Sequence, residues 1–421
     1  MPPEPAIEST VEPVVEVVAC RACGSGRLTP VFDLGAMPLS DGFTAAAETP
    51  DPTYPLAVVF CEDCTLAQLR HTVDPQLLFT DDYHYFSSYT ETVVENAARN
   101  VAAALARKPL GPDALVVELA SNDGYLLQHV QARGVPVLGI DPAKGVVEAA
   151  RARGIATLHA FFTRDLAEQL VAEGRRADLV FANNVLAHVA ATGAFVEGIA
   201  TLLKDDGTAI IEVPHLLTLL EHTEFDTIYH EHLCYFSATA LDRLFRRHGL
   251  YLNDVERIDI HGGSLRLFVE KRPAPRPAVT RLLDEEARCG LTTTEVFTRF
   301  AADVRALGER LTALLDDAKA RGARIAAYGA AAKGTILLNS FGIGTERLDY
   351  VVDRNPHKHG LYVPGVKLPI RAPDHLDRAR PDLLVILPWN HKTEIMRQLS
   401  DFAAGGGAFL VPVPRPEIVR P

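Results

Sequence analysis

Long apolar runs are missing from this chain. No uncharged apolar stretch reaches the roughly 18 residues that a membrane-spanning helix needs. The opening MPPEPAIESTVEPVVEVVA has neither the basic start nor the apolar core of a secretory leader. A protein that neither spans nor binds a membrane, located in the cytoplasm, is therefore expected. Positive charge is also scarce: 42 Lys and Arg stand against 54 Asp and Glu, a formal net charge of −12. That balance argues against general binding to nucleic acid or anionic lipid and favours small-molecule partners. Cysteine is sparse as well, six in 421 residues, too few for a disulfide framework in a chain this long. What is present is ordinary for a globular protein, 48% hydrophobic and 23% charged. The length predicts two or three domains. Oligomeric state is not readable from it, and a monomer is compatible with everything in the sequence.

Four of the six cysteines form two knuckles, Cys20-x-x-Cys23 and Cys61-x-x-Cys64. Each brings two thiolates onto one tight turn, and together they supply the four soft ligands of a closed tetrahedral zinc site. With no open position for substrate, such a zinc is structural. A redox dithiol would show one pair near a helix start, and a zinc ribbon acting as an adaptor is disfavoured by the acidic balance.

From residue 115 onward, short apolar runs alternate with helical stretches. LVVEL, PVLGID, IATLHA, ADLVFANN and TAIIEVP read as strands separated by helices, with Gly134 closing one helix, Pro142 opening another and Ser237 capping a later one. YLNDVERIDI and SLRLFVEK then pair as an antiparallel end. This element count is that of a seven-stranded, Rossmann-like methyltransferase sheet, in which ligands bind beyond the carboxyl ends of the strands. Glu118, Asn122, Asp123, Asp141, Asn183, Asn184 and His188 all fall at those ends. The first loop, ELASNDGYL, has a single glycine, so it is a poor pyrophosphate cradle. S-adenosyl-L-methionine carries no phosphate and suits that loop better, with Asp141 placed to accept ribose hydroxyls. The competing reading of Asp141 is a loop cap.

After the fifth strand comes IYHEHLCYFS, residues 228–237. If extended, it would put His230, His232 and Cys234 on one side, a metal-site pattern and the basis of a zinc-dependent hydrolase as an alternative. Its other reading is acid/base chemistry with His232 as the proton carrier. Cys234 reads as a small buried hydrophobe, and Cys289 as core or surface.

Charged helical segments over 276–320 lead to a last α/β unit. There GAAAKG lies at a strand-to-helix turn that favours an anion, and Lys333 strengthens that preference. The turn and DRNPHK, with Asn355, are candidates for holding a nucleotide diphosphate. Asp353 imitates the acid of NAD sites, making an NAD-dependent oxidoreductase a further alternative, but Ala331 stands where the fingerprint needs glycine.

The knuckles together with DYHYFSSYTE, VVELASNDGYLL, GIDPA, FANNVLAHV, IYHEHLCYFS, HGGSLRLFV, GAAAKGTILLN and VVDRNPHKHGLYVPG resemble the sugar C-methyltransferases of antibiotic deoxysugar biosynthesis. The resemblance implies an α/β protein with an N-terminal zinc-binding domain (18–75, after a flexible tail, 1–17), a central S-adenosylmethionine domain (76–275), and linker helices with a C-terminal Rossmann-like domain (276–421). It implies a nucleotide-linked 4-keto-deoxysugar substrate, dTDP-linked in particular, and a catalytic set of His232, Glu231, Tyr229, His188 and Tyr83, with Tyr85 competing for the last place. The motifs also add Ala120 and Pro142 to the expected cofactor residues. A ketone substrate explains the set: a base near neutral pH removes the proton beside the carbonyl, and donors stabilise the resulting oxyanion.

Overall fold

The computed structural model describes residues 13–78 and 86–420, and Tyr83 and Tyr85 lie outside them. Among the described residues three sheets of four or more strands organise the chain, beside a two-stranded pair of Val14–Glu16 with His71–Val73. The central one has seven strands in the order Tyr251–Ile258, Ser264–Glu270, Leu203–Pro214, Ala177–Asn183, Val116–Leu119, Val137–Asp141, Thr157–His159. Its last five strands in that order are parallel, and Ser264–Glu270 slots antiparallel between its two neighbours. The expected antiparallel pair is therefore present, with the later strand on the inside. Val116–Leu119 is buried at every position, as a strand covered on both faces must be.

The C-terminal sheet has six strands, parallel apart from the edge strand Glu417–Val419. The front sheet contains Leu28–Pro38, Thr53–Cys61 and Ala67–Leu69, all from the knuckle region, but its fourth strand is Cys234–Tyr235. Thus IYHEHLCYFS is not one extended segment. Only its second half is a strand, and that strand belongs to the sheet beside the cysteine knuckles.

The helix Glu295–Ala320 links the three sheets. Phe297, Phe300, Val304, Leu307, Leu311 and Leu315 form its buried stripe at helical spacing. Phe300 meets Phe32 at 4.9 Å between ring centroids, and Phe297 meets Phe60 at 5.8 Å, so the front sheet packs on this helix. Further along, a Cβ at Gly308 would sit 2.5 Å from the Phe341 ring, so only glycine admits this approach to the C-terminal unit. Among the described residues, no helix is long and apolar enough to cross a membrane.

A buried polar group fastens the helix Glu91–Arg107 to the central sheet. Arg266 on one strand donates to Glu212 on the next at 2.7 Å and to Asn96 of the helix at 3.1 Å. Asn96 and Asn100, one turn apart, donate to the two oxygens of Glu212 at 3.2 and 2.9 Å. Burying this charge is tolerable because both carboxylate oxygens are bonded. Removing one partner strands the other: Arg266→Met is expected to lower stability by about 3–5 kcal/mol, read as a fall in the urea midpoint monitored by circular dichroism.

Candidate active site

The segment that follows the fifth parallel strand gets its shape from short local turns. After Leu203–Pro214, the chain forms the helix Leu216–Glu221, turns through Thr223 at φ 55°, and makes one 3-10 turn at Phe225–Thr227. A further turn brings His232 N–H to Tyr229 O at 2.9 Å. Leu233 is then held on both sides, its N–H donating to Ala187 O at 2.7 Å and its carbonyl accepting from Leu69 N at 2.9 Å. Because 229–232 is a turn, the alternation assumed for a second metal site does not occur. His230 turns toward the front sheet and bonds Tyr54 O at 3.2 Å, while Cys234 packs in the core with Sγ 3.6 Å from Thr192 Oγ1. Among the described residues, only Cys20, Cys23, Cys61 and Cys64 group as metal ligands.

His232 points into the space that His230 leaves. Its Nδ1 lies 2.8 Å from Thr227 O, and a carbonyl only accepts, so Nδ1 carries the hydrogen. Nε2 therefore holds the lone pair and accepts from the Tyr229 hydroxyl at 2.8 Å. The His188 ring stands edge-on to it, 4.8 Å between centroids. Burial, then the neighbouring His188, hold His232 well below the usual histidine range, against the pull of the Thr227 carbonyl. Burial lowers His188 to about 4. Both rings are neutral at physiological pH, one of them with a fixed tautomer. That is the state a proton acceptor requires.

Around them lies a charged group of which the sequence reading singled out only Lys333. Lys333, on the first turn of Ala332–Ser340, places Nζ 4.3 Å from the Trp389 ring centre and donates to Asn390 Oδ1 at 3.3 Å. Burial lowers its pKa, while Asp226 and Glu224 oppose that shift. Those two acids are raised by burial to about 6 and about 8, with Lys333 opposing. Trp389 Nε1 donates to Asp226 at 2.7 Å, and Phe225 meets Phe341 at 4.9 Å, so the C-terminal unit clamps the turn that carries the histidines. His261 also faces this group and is lowered to about 3, by burial and then by Lys333 and His391. A Cβ at Gly262 would fall 2.5 Å from a Glu224 oxygen, so the HGG motif exists to let its loop lie on that carboxyl. His261 was findable from that motif, and Glu224 and Asp226 from the EFD just before 228.

At the C-terminal turn Gly329 adopts φ 87°, and a Cβ there would lie 2.5 Å from Pro388, so the loop packs on protein at a point only glycine allows. Both Asp353 oxygens are engaged, by Ala330 N and Asn355 N at 2.7 Å each. Asn355 caps the next turn by accepting from His357 N at 3.0 Å.

At the carboxyl ends of the central strands, several buried polar atoms lack a hydrogen-bond partner: both oxygens of Glu118, Asp123 Oδ1, Ser121 Oγ, and Oδ1 of Asn183 and Asn184, while Asp123 Oδ2 is ion-paired with Arg153 at 3.2 Å. Ala120, Asn122 and Asn184 hold left-handed backbone, with φ of 55°, 49° and 53°, strain of the kind found where a ligand is gripped. Burial, then Asp141, Asp123 and Glu212, push Glu118 well above the carboxylate range. A cationic ligand relieves that pressure, so these residues fit a sulfonium-bearing amino acid. Asp141 accepts from Asn122 N and Ala143 N at 2.9 Å each. It is thus the loop brace of its competing reading, yet each oxygen retains a second lone pair for a ribose. Pro142 precedes the helix Lys144–Ala152, which starts two residues later than expected, and its carbonyl bonds His159 at 2.8 Å.

The knuckle sulfurs lie within 4.8 Å of one another, with Cys20–Cys64 at 3.4 Å and Cys23–Cys61 at 3.5 Å. Tetrahedral zinc with bonds of about 2.3 Å spaces its sulfurs about 3.8 Å apart, so the set fits.

Comparison with known proteins agrees with this geometry. Residues 20–79 match a zinc binding domain model, 89–255 a methyltransferase domain, and 259–414 a C-methyltransferase C-terminal domain. The C-methyltransferase NovU of Streptomyces niveus is 34% identical over 98% of this chain and 99% of its own length. The chain belongs to the sugar C-methyltransferase family. It is an S-adenosylmethionine-dependent C-methyltransferase with a zinc-binding domain, and the resemblance carried by its motifs is borne out. A ubiquinone biosynthesis O-methyltransferase of Methylobacterium sp. (strain 4-46) is 32% identical over 24% of this chain and 43% of its own. Among solved structures, the PH0226 protein of Pyrococcus horikoshii OT3 is 15% identical, with TM-score 0.37 over 46% of this chain and 100% of its own.

Two measurements test the ligand residues of this methyltransferase. Elemental analysis is expected to find one zinc per chain, lost on replacing Cys20, Cys23, Cys61 and Cys64 by serine. By calorimetry, Asp141→Ala is expected to weaken S-adenosylmethionine binding about 10- to 100-fold, the worth of hydrogen bonds to a charged group.

Proposed function

We propose that the enzyme methylates a carbon next to the ketone of a nucleotide-linked 4-keto-deoxysugar, dTDP-linked in particular, with His232 as the base. The observation that carries this reading is the His232 geometry: Nδ1 is locked to Thr227 O, and Nε2 alone is available as an acceptor. Bound S-adenosylmethionine supplies an electrophilic methyl group on a sulfonium. In the proposed cycle the Tyr229 hydroxyl turns from Nε2 onto the ketone oxygen, and Nε2 takes the proton from the adjacent carbon. The electron pair left there becomes an enolate, which forms the new carbon–carbon bond as the carbon–sulfur bond breaks. Tyr229 donates to the oxyanion, a role Tyr83 shares in this reading, while His188, whose one N–H as a neutral ring is held by the Glu231 backbone, flanks His232. Glu118, Ala120, Asn122, Asp123, Asp141, Pro142, Asn183 and Asn184 hold the methyl donor. Lys333 and Asn355 bind substrate.

The neighbourhood of Lys333 refines its part. Two carboxyls, Glu224 and Asp226, already surround it, which disfavours a multiply charged diphosphate and favours the sugar. The diphosphate and nucleotide are then left to the 330–358 surface around Asn355. The proposed division of labour keeps the units 18–75, 76–275 and 276–421, with substrate bound where they meet.

Mass spectrometry of products from S-adenosylmethionine and a panel of nucleotide-linked 4-keto sugars tests the reaction. A gain of one methyl group on a sugar carbon is the expected result, and no methylated sugar from any member would reject it. His232→Asn should cost about 10²- to 10⁴-fold in kcat, the usual worth of a general base, with cofactor affinity nearly retained. Near-normal turnover in that variant would reject His232 as the base. The pH profile has a definite sign. A base whose pKa is held below 6.5 stays neutral as pH falls through 6.5, so kcat/KM should stay level from pH 7.5 to 6.5 and decline only further into acid.

A further inference from the structure

The loop between the first two front-sheet strands, Leu28–Pro38 and Thr53–Cys61, does not stay with the zinc-binding unit. Ser40, 2% exposed, donates from Oγ to Glu231 Oε1 at 3.3 Å and accepts at its carbonyl from Thr335 Oγ1 at 2.9 Å. One buried serine thus touches the catalytic turn on one side and the Ala332–Ser340 helix on the other. The next residue, Asp41, lies 3.9 Å from Lys358 Nζ. Lys358 is itself fixed, donating to Ala330 O at 2.8 Å and standing 4.6 Å from the Phe43 ring centre. Glu231 is only half-buried, so its carboxyl can reach a ligand.

We propose that the zinc-binding unit forms one wall of the catalytic site, its 38–43 segment positioning Glu231 through Ser40 and Asp41 so that this carboxyl meets substrate as a hydrogen-bond donor. The inference deepens the reading of 229–232 as the catalytic turn and rests on it. A donor must be protonated, and its surroundings enforce that state. Asp41 faces Glu231 from the front loop, Lys358 from the C-terminal unit, and His188 from the 186–188 turn, where it bonds the Glu231 backbone. On its own segment Glu231 is flanked by His230 and His232, both kept neutral by burial. Burial first, and Asp41 next, raise Glu231 to about 8, while Ser40 and Lys358 oppose the shift. A neutral carboxyl aimed at a ketone oxygen stabilises the enolate without adding a second negative charge.

The two loop residues act in opposite senses, which gives the proposal a signature that simple destabilisation cannot imitate. Removing the Ser40 hydroxyl takes a hydrogen bond from the ionised form and raises the Glu231 pKa; removing the Asp41 charge lowers it. In the zinc-loaded full-length protein carrying 13C-glutamate, with the Glu231 signal assigned by its loss in Glu231→Gln, the carboxyl should titrate near 8. Ser40→Ala should move the midpoint up and Asp41→Asn down, each by about half a pH unit, and Ser40→Thr should restore it. Zinc content and S-adenosylhomocysteine affinity should not change. A Glu231 midpoint in the ordinary carboxyl range, or a shift in the same direction in both variants, would overturn the positioning role. With the sugar nucleotide that the panel turns over, the alkaline limb of kcat should follow the same opposite shifts. A limb that does not move while the carboxyl does would overturn the donor role. Unimpaired turnover in His232→Asn would instead reject the base assignment, a failure the carboxyl titration does not share.

Discussion

The pairing of Cys234–Tyr235 with Ala67–Leu69 is the constraint on which the rest of the site depends. The knuckle peptide is tied to that partner strand, since Arg21 N donates to Gln68 Oε1 at 3.0 Å, and Cys61 N to Leu66 O at 2.9 Å. A metal that fixes the knuckles therefore fixes the strand beside them, and the strand fixes where Leu233 and the preceding turn must end. In the proposed reading the zinc-binding domain takes no part in the chemistry, yet it sets the position of the residues that do. Just before the turn, at Phe225 and Asp226, the same segment is held by the C-terminal unit, by Trp389 on Asp226 and Phe341 against Phe225. Between these two anchors the 229–232 turn has little freedom, which is what a base fixed in one tautomer needs.

Charge follows the same logic of confinement. His188 and His232 are neutral because burial penalises their cations. The acids beside them share the field of one half-buried lysine. At the residues proposed to hold the methyl donor the sign reverses: both Glu118 oxygens and Asp123 Oδ1 lack a hydrogen-bond partner, with Arg153 the one cation already paired there, on Asp123 Oδ2. In the proposed reading the two regions select different charges, one a cation and one a neutral ketone that becomes an anion only during reaction. The acidic character of the chain as a whole is unrelated to either.

Most of the architecture was legible because it is written locally. The buried strands of the central sheet are continuous apolar runs, the Ser237 hydroxyl caps its helix by accepting from Ala240 N at 3.0 Å, and paired knuckles have one common use. What was not legible depends on contacts between residues far apart in sequence. Nothing in YHEHLCYFS says that its second half joins a sheet begun some 170 residues earlier, so its alternation looked like a ligand pattern. Ser40 and Asp41 lie in the stretch between the knuckles, where nothing in the sequence names their partners, and only the fold shows what faces them. Asp141 and Asp353 show a subtler limit: an acid at a strand end reads equally as ligand or as brace, and their own loops use both.

The helix Glu295–Ala320, introduced as a link between sheets, has a consequence for recombination among relatives. It carries aromatic contacts to the front sheet and, through Gly308, a glycine-only contact to the C-terminal unit. Exchanging any one unit for that of a homologue would therefore mismatch two surfaces at once, and a graft meant to alter sugar preference would arrive with a displaced turn at 229–232. The segments that would have to travel together are 38–43, 224–235, 261–263 and 329–358, with the facing stripe of this helix. Specificity in such an enzyme is inherited as a set of contacts and not as a domain.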